Sequence, residues 1–265
     1  MASRTVFITG TSAGLGRATA EHLAGAGWQV LGAARRSLGG SGWDSLEMDV
    51  CDDASVEAGV AEAISRLGQL DAVVLAAGWG LAGPVESTPI DLAQAQLDTN
   101  FFGVARVAKA ALPALRASRG RLVVVGSIGG VVGLPYQAYY SASKFALEGF
   151  VEALAYEVAP FGVQVSIVEP GNFATEFTTA RHTVDGGADD PYAAAARKAI
   201  STMERDEVAG VAPAVAAKAI ARILDARRAP RRCSIGRLDE RAGLLGKRLL
   251  PSRLFEAAAR SSLGV

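Results

Sequence analysis

The sequence predicts an α/β fold in which about seven parallel strands form one doubly wound sheet. Short apolar runs rich in Val, Ile and Leu alternate with stretches that have helical spacing of apolar residues. The first predicted strand runs directly into a glycine-rich turn that opens a helix. The chain has 265 residues, of which 50% are hydrophobic, and this suffices for the core of a single domain.

The strands are predicted at the apolar runs and the helices at the segments between them. We expect strands over 5–9, 28–34, 45–50, 70–76, 122–125, 163–168 and 232–235. One helix follows the glycine turn, a long one starts at Asp91, and others are expected over about 53–67, 138–159 and 207–226.

Two segments are expected to lie outside the repeating pattern. Residues 172–206 leave the carboxyl end of the sixth strand, so we expect them to cover the site as a lid within a catalytic domain of residues 1–236. Residues 237–265 form a basic C-terminal extension, expected to pack on that domain. Leucines interleave with Arg241, Lys247 and Arg248 there, and Pro251 would interrupt a long helix.

The glycine-rich turn is the first candidate binding site. Backbone N–H groups at the start of a helix bind phosphate, and glycine allows a close approach. The spacing Gly-x-x-x-Gly-x-Gly between a strand and a helix therefore favours a dinucleotide over a simple tight turn. The residues expected to bind it are Gly10, Thr11, Ser12, Gly14, Leu15 and Gly16.

The end of the second strand indicates which dinucleotide binds. An acidic residue at this position would hold the ribose 2′-hydroxyl of NAD. The chain instead has Arg35 and Arg36, and a guanidinium can hold a 2′-phosphate through several donors. Two loop arginines can also be ordinary solvated charges. We expect NADP(H), with NAD(H) as the alternative.

A second group of polar residues follows the fifth strand. Ser127 lies at the carboxyl end of this strand, where ligands bind in open α/β sheets. Tyr140 and Lys144 are four residues apart on the next helix and share a face. A phenol, an ammonium and a hydroxyl support proton transfer to a carbonyl, because a nearby ammonium lowers the pKa of a phenol. The Tyr-x-x-x-Lys spacing also occurs by chance on amphipathic helices.

Together and in this order, the motifs resemble the classical short-chain dehydrogenase/reductase family over residues 4–236. The resemblance implies a Rossmann-type fold, with Tyr140 as general acid and base and Lys144 lowering its pKa. Ser127 would polarise the carbonyl, and Asn100 would hold a water that links Lys144 to solvent. It also implies cofactor contacts from Asp49, Val50, Ala76, Ala77, Gly78, Tyr140, Lys144, Pro170, Gly171, Phe173 and Thr175.

The subgroup of 17β-hydroxysteroid and retinol dehydrogenases is the part of the family that the core resembles. This suggests a bulky apolar carbonyl or alcohol, with pocket walls at Trp79, Leu134, Tyr136, Phe173 and Phe177. The chain departs from the family at Ala76, where an Asn usually ties the central sheet together. Loss of that amide leaves backbone groups to find other partners.

The composition also bears on the expected partners and location of the protein. Lys+Arg and Asp+Glu both number 27, so no nucleic-acid partner is expected. Two cysteines, no recognisable leader and no long apolar run favour a cytoplasmic protein without a metal site. Membrane contact by the basic tail is not expected, and the resemblance implies a homodimer or homotetramer. The alternative functions are a non-catalytic NADP-binding sensor or scaffold, and an epimerase or dehydratase of the same family.

Overall fold

The computed structural model describes residues 3–36, 38–187 and 189–263. Its main sheet has seven parallel strands in the order β3-β2-β1-β4-β6-β7-β9. The predicted doubly wound α/β sheet is confirmed. The strands of this sheet are β1 Thr5–Thr9, β2 Gln29–Ala34, β3 Asp44–Glu47, β4 Ala72–Leu75, β6 Arg121–Val125, β7 Gln164–Pro170 and β9 Arg232–Ile235.

Helices cover both faces of the sheet. They are α1 Gly14–Gly25, α2 Asp53–Leu67, α3 Ile90–Leu97, α4 Gly103–Ser118, α5 Ala138–Val158, α6 Ala193–Val208, α7 Pro213–Asp225, α8 Leu238–Leu249 and α9 Ser252–Leu263. Helices α2, α4 and α5 pack on one face, and α1 and α7 on the other. Strand β1 serves both cores, because Phe7 points to the first and Val6 and Ile8 to the second.

The strand order reverses between β1 and β4, which places a crevice at the carboxyl edge of the sheet. From β1 the chain winds outward to β2 and β3, and from β4 it winds the other way to β6, β7 and β9. In such sheets ligands bind at this switch point. The glycine turn and Ser127 follow strands that end at this edge, and Pro170 is the last residue of a third strand that ends there.

Several element boundaries differ from the predictions. Strand β3 stops at Glu47, so Asp49 and Val50 lie in the turn that leads to α2. The helix predicted from Asp91 is α3 and α4 joined by a π-helical turn, Asp98–Phe102. Helix α6 runs two residues beyond the predicted segment 172–206, and α7 begins only at Pro213, a residue suited to the first helical position.

Two further features lie around the switch point. Strands β5 Leu81–Ala82 and β8 His182–Thr183 form a small parallel sheet that the sequence did not predict. In the tail, α8 and α9 are separated at Pro251, as expected. No helix in the described part of the chain is both long and apolar enough to cross a membrane.

Candidate active site

Tyr140, Lys144 and Ser127 come together beside the carboxyl end of β6. Helix α5 carries the phenol and the ammonium, and Ser127 caps a 3₁₀ turn, accepting a hydrogen bond from Gly129 N at 3.0 Å. Lys144 Nζ donates to Val125 O at 3.1 Å and lies 5.9 Å from the Tyr140 ring centroid. All three side chains are buried. The predicted convergence of hydroxyl, phenol and ammonium therefore exists as geometry.

Asn100 stands behind this group on the π-helical turn, a distortion often found at functional sites. Its side chain is fully buried. Oδ1 accepts from Trp79 N at 3.0 Å, and Nδ2 donates to Trp79 O at 3.0 Å and to Ser143 Oγ at 3.1 Å. The amide thus joins α5 to the segment after β4. These hydrogen bonds explain why a polar residue occupies a position inside a helix. The sequence alone did not indicate its partners.

Burial determines the titration of the two central groups. It raises the pKa of Tyr140 to about 12, although the hydrogen bond with Ser127 acts in the opposite direction. Burial also lowers the pKa of Lys144 to about 8. Lys144 is not among the groups that shift the pKa of Tyr140 here, so its expected lowering of that pKa stays a prediction.

The glycine turn fits the pyrophosphate of a dinucleotide. Gly10 and Gly14 adopt φ values of +75° and +57°, and a Cβ on Gly10 would stand 2.7 Å from Ala76 C. Gly16 approaches Gly10 so closely that no side chain fits there. The start of α1 has neither a capping side chain nor an acidic residue in its first turn, so the helix itself supplies no anion to this terminus.

Glu176 provides one carboxylate at this helix terminus. Its Oε2 accepts a hydrogen bond from Gly14 N at 3.2 Å. The neighbouring Thr175 lies against Gly14, 3.7 Å from the place a Cβ would take. The segment after β7 thus contacts the glycine turn directly, as the expected position of Thr175 requires, while the contact from Glu176 was not predicted.

Thr9 replaces the amide that Ala76 lacks. Its Oγ1 accepts from Ala76 N at 3.2 Å and from Ala77 N at 3.4 Å. Both N–H groups are therefore satisfied across the switch point, and the crossing between β1 and β4 stays tied. Gly78 follows on the exposed side, with Lys144 Nζ 3.7 Å from the place where its Cβ would stand.

The remaining predicted cofactor residues lie along the same edge. Thr11 is buried beneath the turn, Leu15 packs on the core, and Ser12 is exposed. Arg35 and Arg36 follow β2 and are exposed. Asp49 is half-buried and accepts from Cys51 N at 2.9 Å, and Val50 is buried. Gly171 is covered by Glu240 of α8, which accepts a hydrogen bond from Asn172 N at 2.9 Å.

The predicted pocket walls do not all pack against the same part of the molecule. Phe177 packs on the Tyr140 ring at 5.8 Å between centroids, and Trp79 lies 4.8 Å from the ring of His182. Leu134 contacts the turn at Gly129. Tyr136 packs instead against a cluster with Ala196, Ile200 and Met203. Phe173 is buried in the core cluster that includes residues of α7, and its contact with the cofactor or the pocket stays a prediction.

Several side chains that the sequence did not single out form contacts between distant segments around the site. They include Thr9 and Ser143, and the charged residues Glu176, Arg181, Glu207 and Glu240. Thr9 ends the first predicted strand and Ser143 lies between Tyr140 and Lys144, but their partners are far along the chain. The described residues contain no group of three or more His, Cys, Asp or Glu arranged to hold a metal ion.

Residues 4–185 match the family described as short chain dehydrogenase. The chain belongs to this family. It is 38% identical over 263 residues to a 3-ketodihydrosphingosine reductase from Bacteroides thetaiotaomicron, a match that covers 98% of both proteins. A solved short-chain dehydrogenase from Streptomyces avermitilis superposes with a TM-score of 0.83 at 32% identity, covering 98% of each chain.

Human retinol dehydrogenase 8 is 40% identical over 194 residues, which covers 66% of this chain and 61% of that protein. The predicted resemblance to the retinol dehydrogenase-like part of the short-chain dehydrogenase family is thereby confirmed. As a member of the family, the chain is an NAD(P)-dependent oxidoreductase with a Rossmann-type fold.

Proposed function

We propose that this chain reduces a bulky, largely apolar ketone or aldehyde to an alcohol with NADPH. The observation that carries the proposal is the buried group of Ser127, Tyr140 and Lys144 at the switch point of the sheet. A hydroxyl donor, a protonated phenol and an ammonium are what carbonyl reduction needs at the oxygen atom. Similarity over the whole chain to an enzyme named for reducing 3-ketodihydrosphingosine supports a ketone as the substrate.

Each residue has a proposed role at a stated atom. Ser127 Oγ donates a hydrogen bond to the carbonyl oxygen, and Tyr140 Oη gives it a proton. With a pKa near 12, the phenol holds that proton at neutral pH, as a general acid must. The bound nicotinamide supplies the hydride that the carbonyl carbon accepts. In the oxidation direction Tyr140 acts as the base.

Lys144 and Asn100 are proposed to restore the proton. Lys144 has a pKa near 8, so it is charged at neutral pH yet gives up a proton more readily than an exposed lysine. Its charge stabilises the phenolate that forms as Tyr140 loses its proton. We propose that Asn100, held by Trp79 and Ser143, keeps the relay to solvent in place.

The test of this mechanism compares Tyr140→Phe with Tyr139→Phe. We expect Tyr140→Phe to lower kcat for NADPH-dependent ketone reduction by about 10²–10⁴-fold, because the proton donor is lost. Tyr139 provides a matched control one residue away, and its variant should keep the wild-type kcat. Equal turnover by Tyr140→Phe would contradict the mechanism. If the protein binds NADPH but turns over no ketone, the result would favour the non-catalytic sensor or scaffold. If product forms without net oxidation of the cofactor, the result would favour an epimerase or dehydratase.

Preference for NADP(H) is proposed from the arginines that follow β2. Arg35 and Arg36 are exposed at the edge where the adenosine ribose would lie, and no carboxylate occupies the end of that strand. Fluorescence titration should show tighter binding of NADPH than NADH, and a variant with both residues changed to Ala should lose the preference. Arg66→Ala, on α2, serves as the control. Equal affinity of the wild type for both cofactors would contradict the assignment.

We also propose a homodimer or homotetramer that pairs through the outer faces of α4 and α5. Large apolar side chains are exposed along these helices and their ends, at Phe102, Phe145, Tyr156 and Phe161. Exposed apolar side chains concentrated on one face favour association. Light scattering across a range of concentrations measures the oligomeric state, and a monomer at every concentration would contradict the proposal.

We also propose a cytoplasmic location for the protein and a lid role for residues 172–206.

A further inference from the structure

Arg181 is a buried charge whose hydrogen-bonding capacity is only partly used. Its side chain has 0% exposure and forms an ion pair through Nη2 with Glu207, which also accepts from Thr178 Oγ1 at 2.7 Å. Nε and Nη1 are buried and have no hydrogen-bond partner among the described residues. A buried N–H donor without an acceptor is costly, so these two donors need an explanation.

The guanidinium is connected to Tyr140 through the ring of Phe177. Its Cζ is 5.8 Å from the Phe177 ring centroid, and that ring packs on Tyr140 at 5.8 Å. Arg181 Cγ and Phe177 Cζ both lie against Gly80, at 3.5 and 2.9 Å from where a Cβ would stand. Gly80 follows Trp79, which is bonded to Asn100. The charges of Arg181 and Glu207 both act on the Tyr140 phenol, in opposite directions.

The charges around Arg181 determine which chemical group can accept hydrogen bonds from its free N–H donors. Glu207 already pairs with the guanidinium, and Glu204 lies 4.0 Å from Nη1. With two carboxylates near one guanidinium, a further negative charge would not be compensated. A neutral oxygen, in a hydroxyl or a second carbonyl, can accept the hydrogen bonds without that repulsion.

We propose that Arg181 is a specificity-determining residue whose free N–H groups bind a second, neutral oxygen on the substrate. The preferred substrate is therefore a largely apolar ketone that carries a hydroxyl or another carbonyl near the reacting carbonyl. This inference rests on the reductase function proposed above. It narrows the substrate class from bulky apolar ketones to those with one additional hydrogen-bond acceptor.

The test measures kcat/KM with NADPH for a long-chain ketone and for its counterparts of equal length that bear a hydroxyl or second carbonyl at successive carbons. We expect at least one oxygen-bearing ketone to exceed the plain ketone by about tenfold or more, since hydrogen bonds to charged groups are among the stronger ones. Arg181→Lys keeps a charge opposite Glu207 but loses the guanidinium fork. It should reduce this ratio to near unity.

Two controls separate recognition from a structural role. Arg205→Met changes an exposed arginine on the same helix as Glu207 and should preserve the ratio. If Arg181 only fixes the segment in place, Arg181→Lys will lower kcat/KM for every ketone by the same factor, and the inference is wrong. A wild-type enzyme without preference also overturns it. Turnover of no ketone at all would instead overturn the reductase proposal, and this inference with it.

Discussion

Single residues at the switch point are held by hydrogen bonds that come from distant parts of the chain. Asn100 bonds to Trp79 and Ser143, Lys144 to Val125, and Thr9 to Ala76 and Ala77. Tyr140 and Lys144 are also both buried. The pKa values of these residues and their contributions to stability therefore depend on desolvation and on their hydrogen-bond partners. Both effects can be tested.

Lys144 should make stability depend on pH. Its folded pKa is near 8 and its ordinary value is 10.5, so between these values the unfolded chain binds more protons than the folded one. The free energy of unfolding should then rise with pH, by at most about 2 kcal/mol between pH 7 and 9.5. Urea denaturation at both values should show this rise in the wild type and lose it in Lys144→Met. The exposed Lys218→Met is the control, and an unchanged rise in Lys144→Met contradicts the assignment.

Thr9 should contribute to stability through its hydroxyl rather than its shape. Thr9→Val keeps the branched shape but leaves Ala76 N and Ala77 N without their acceptor. We expect the free energy of unfolding to fall by about 1–3 kcal/mol, as for buried donors that lose their partner. Thr9→Ser, which retains the hydroxyl, should lose less. Equal losses in the two variants, measured by urea denaturation, would show that packing is the larger contribution.

At the level of elements, the segment after β7 contacts both halves of the site. Thr175 and Glu176 lie at the start of α1, and Phe177 packs on Tyr140. Arg181, Thr178 and Glu207 join the same segment to α6. These contacts support the proposal that residues 172–206 act as a lid, because the segment must shift at α1 when a pyrophosphate binds there.

Glu176 and a dinucleotide should compete for the same N–H group. Since an anion at a helix N-terminus gains about 0.3–1 kcal/mol, removing the carboxylate charge should tighten NADPH binding roughly two- to fivefold. Fluorescence titration of Glu176→Gln measures the change in Kd. The control is Glu21→Gln, which changes an exposed carboxylate on α1 and should leave the Kd for NADPH unaltered. Weaker NADPH binding by Glu176→Gln would mean that the carboxylate helps to form the site.

For the whole molecule, the C-terminal extension contributes to the carboxyl edge of the sheet. Glu240 of α8 accepts hydrogen bonds from Asn172 N at 2.9 Å and from Arg237 N at 2.7 Å, and it covers Gly171. Lys247 also donates to Val131 O, beside the turn that holds Ser127. The extension therefore contacts two loops of the site.

Removal of the Glu240 carboxylate should loosen the loop after β7. In Glu240→Ala the Asn172 N–H loses its acceptor, so its amide hydrogen should exchange faster with solvent. Hydrogen-exchange mass spectrometry of the peptide spanning Gly171 and Asn172 measures this. Asp239→Ala, next to Glu240 and paired with Arg237, is the matched control. Unchanged exchange in Glu240→Ala would show that the tail does not hold this loop.

Sequence alone determined the layered fold and the order of its motifs. Strands such as β1 and β6 are apolar on both sides because helices cover both faces, and this pattern is visible locally. The positions of Ser127, Tyr140 and Lys144 followed from strand ends and helical spacing. The π-helical turn, the late start of α7 and the β5–β8 pair were not predicted, because they depend on tertiary contacts.

Only the tertiary structure decided which groups control the site. Thr9 as the acceptor for Ala76 and Ala77, Glu176 at α1, and the free donors of Arg181 each depend on a meeting of segments far apart in the chain. Burial is also the largest influence on the pKa of Tyr140 and raises it. Helical and strand periodicity is a property of neighbouring residues, whereas desolvation and long-range pairing exist only once the chain has folded.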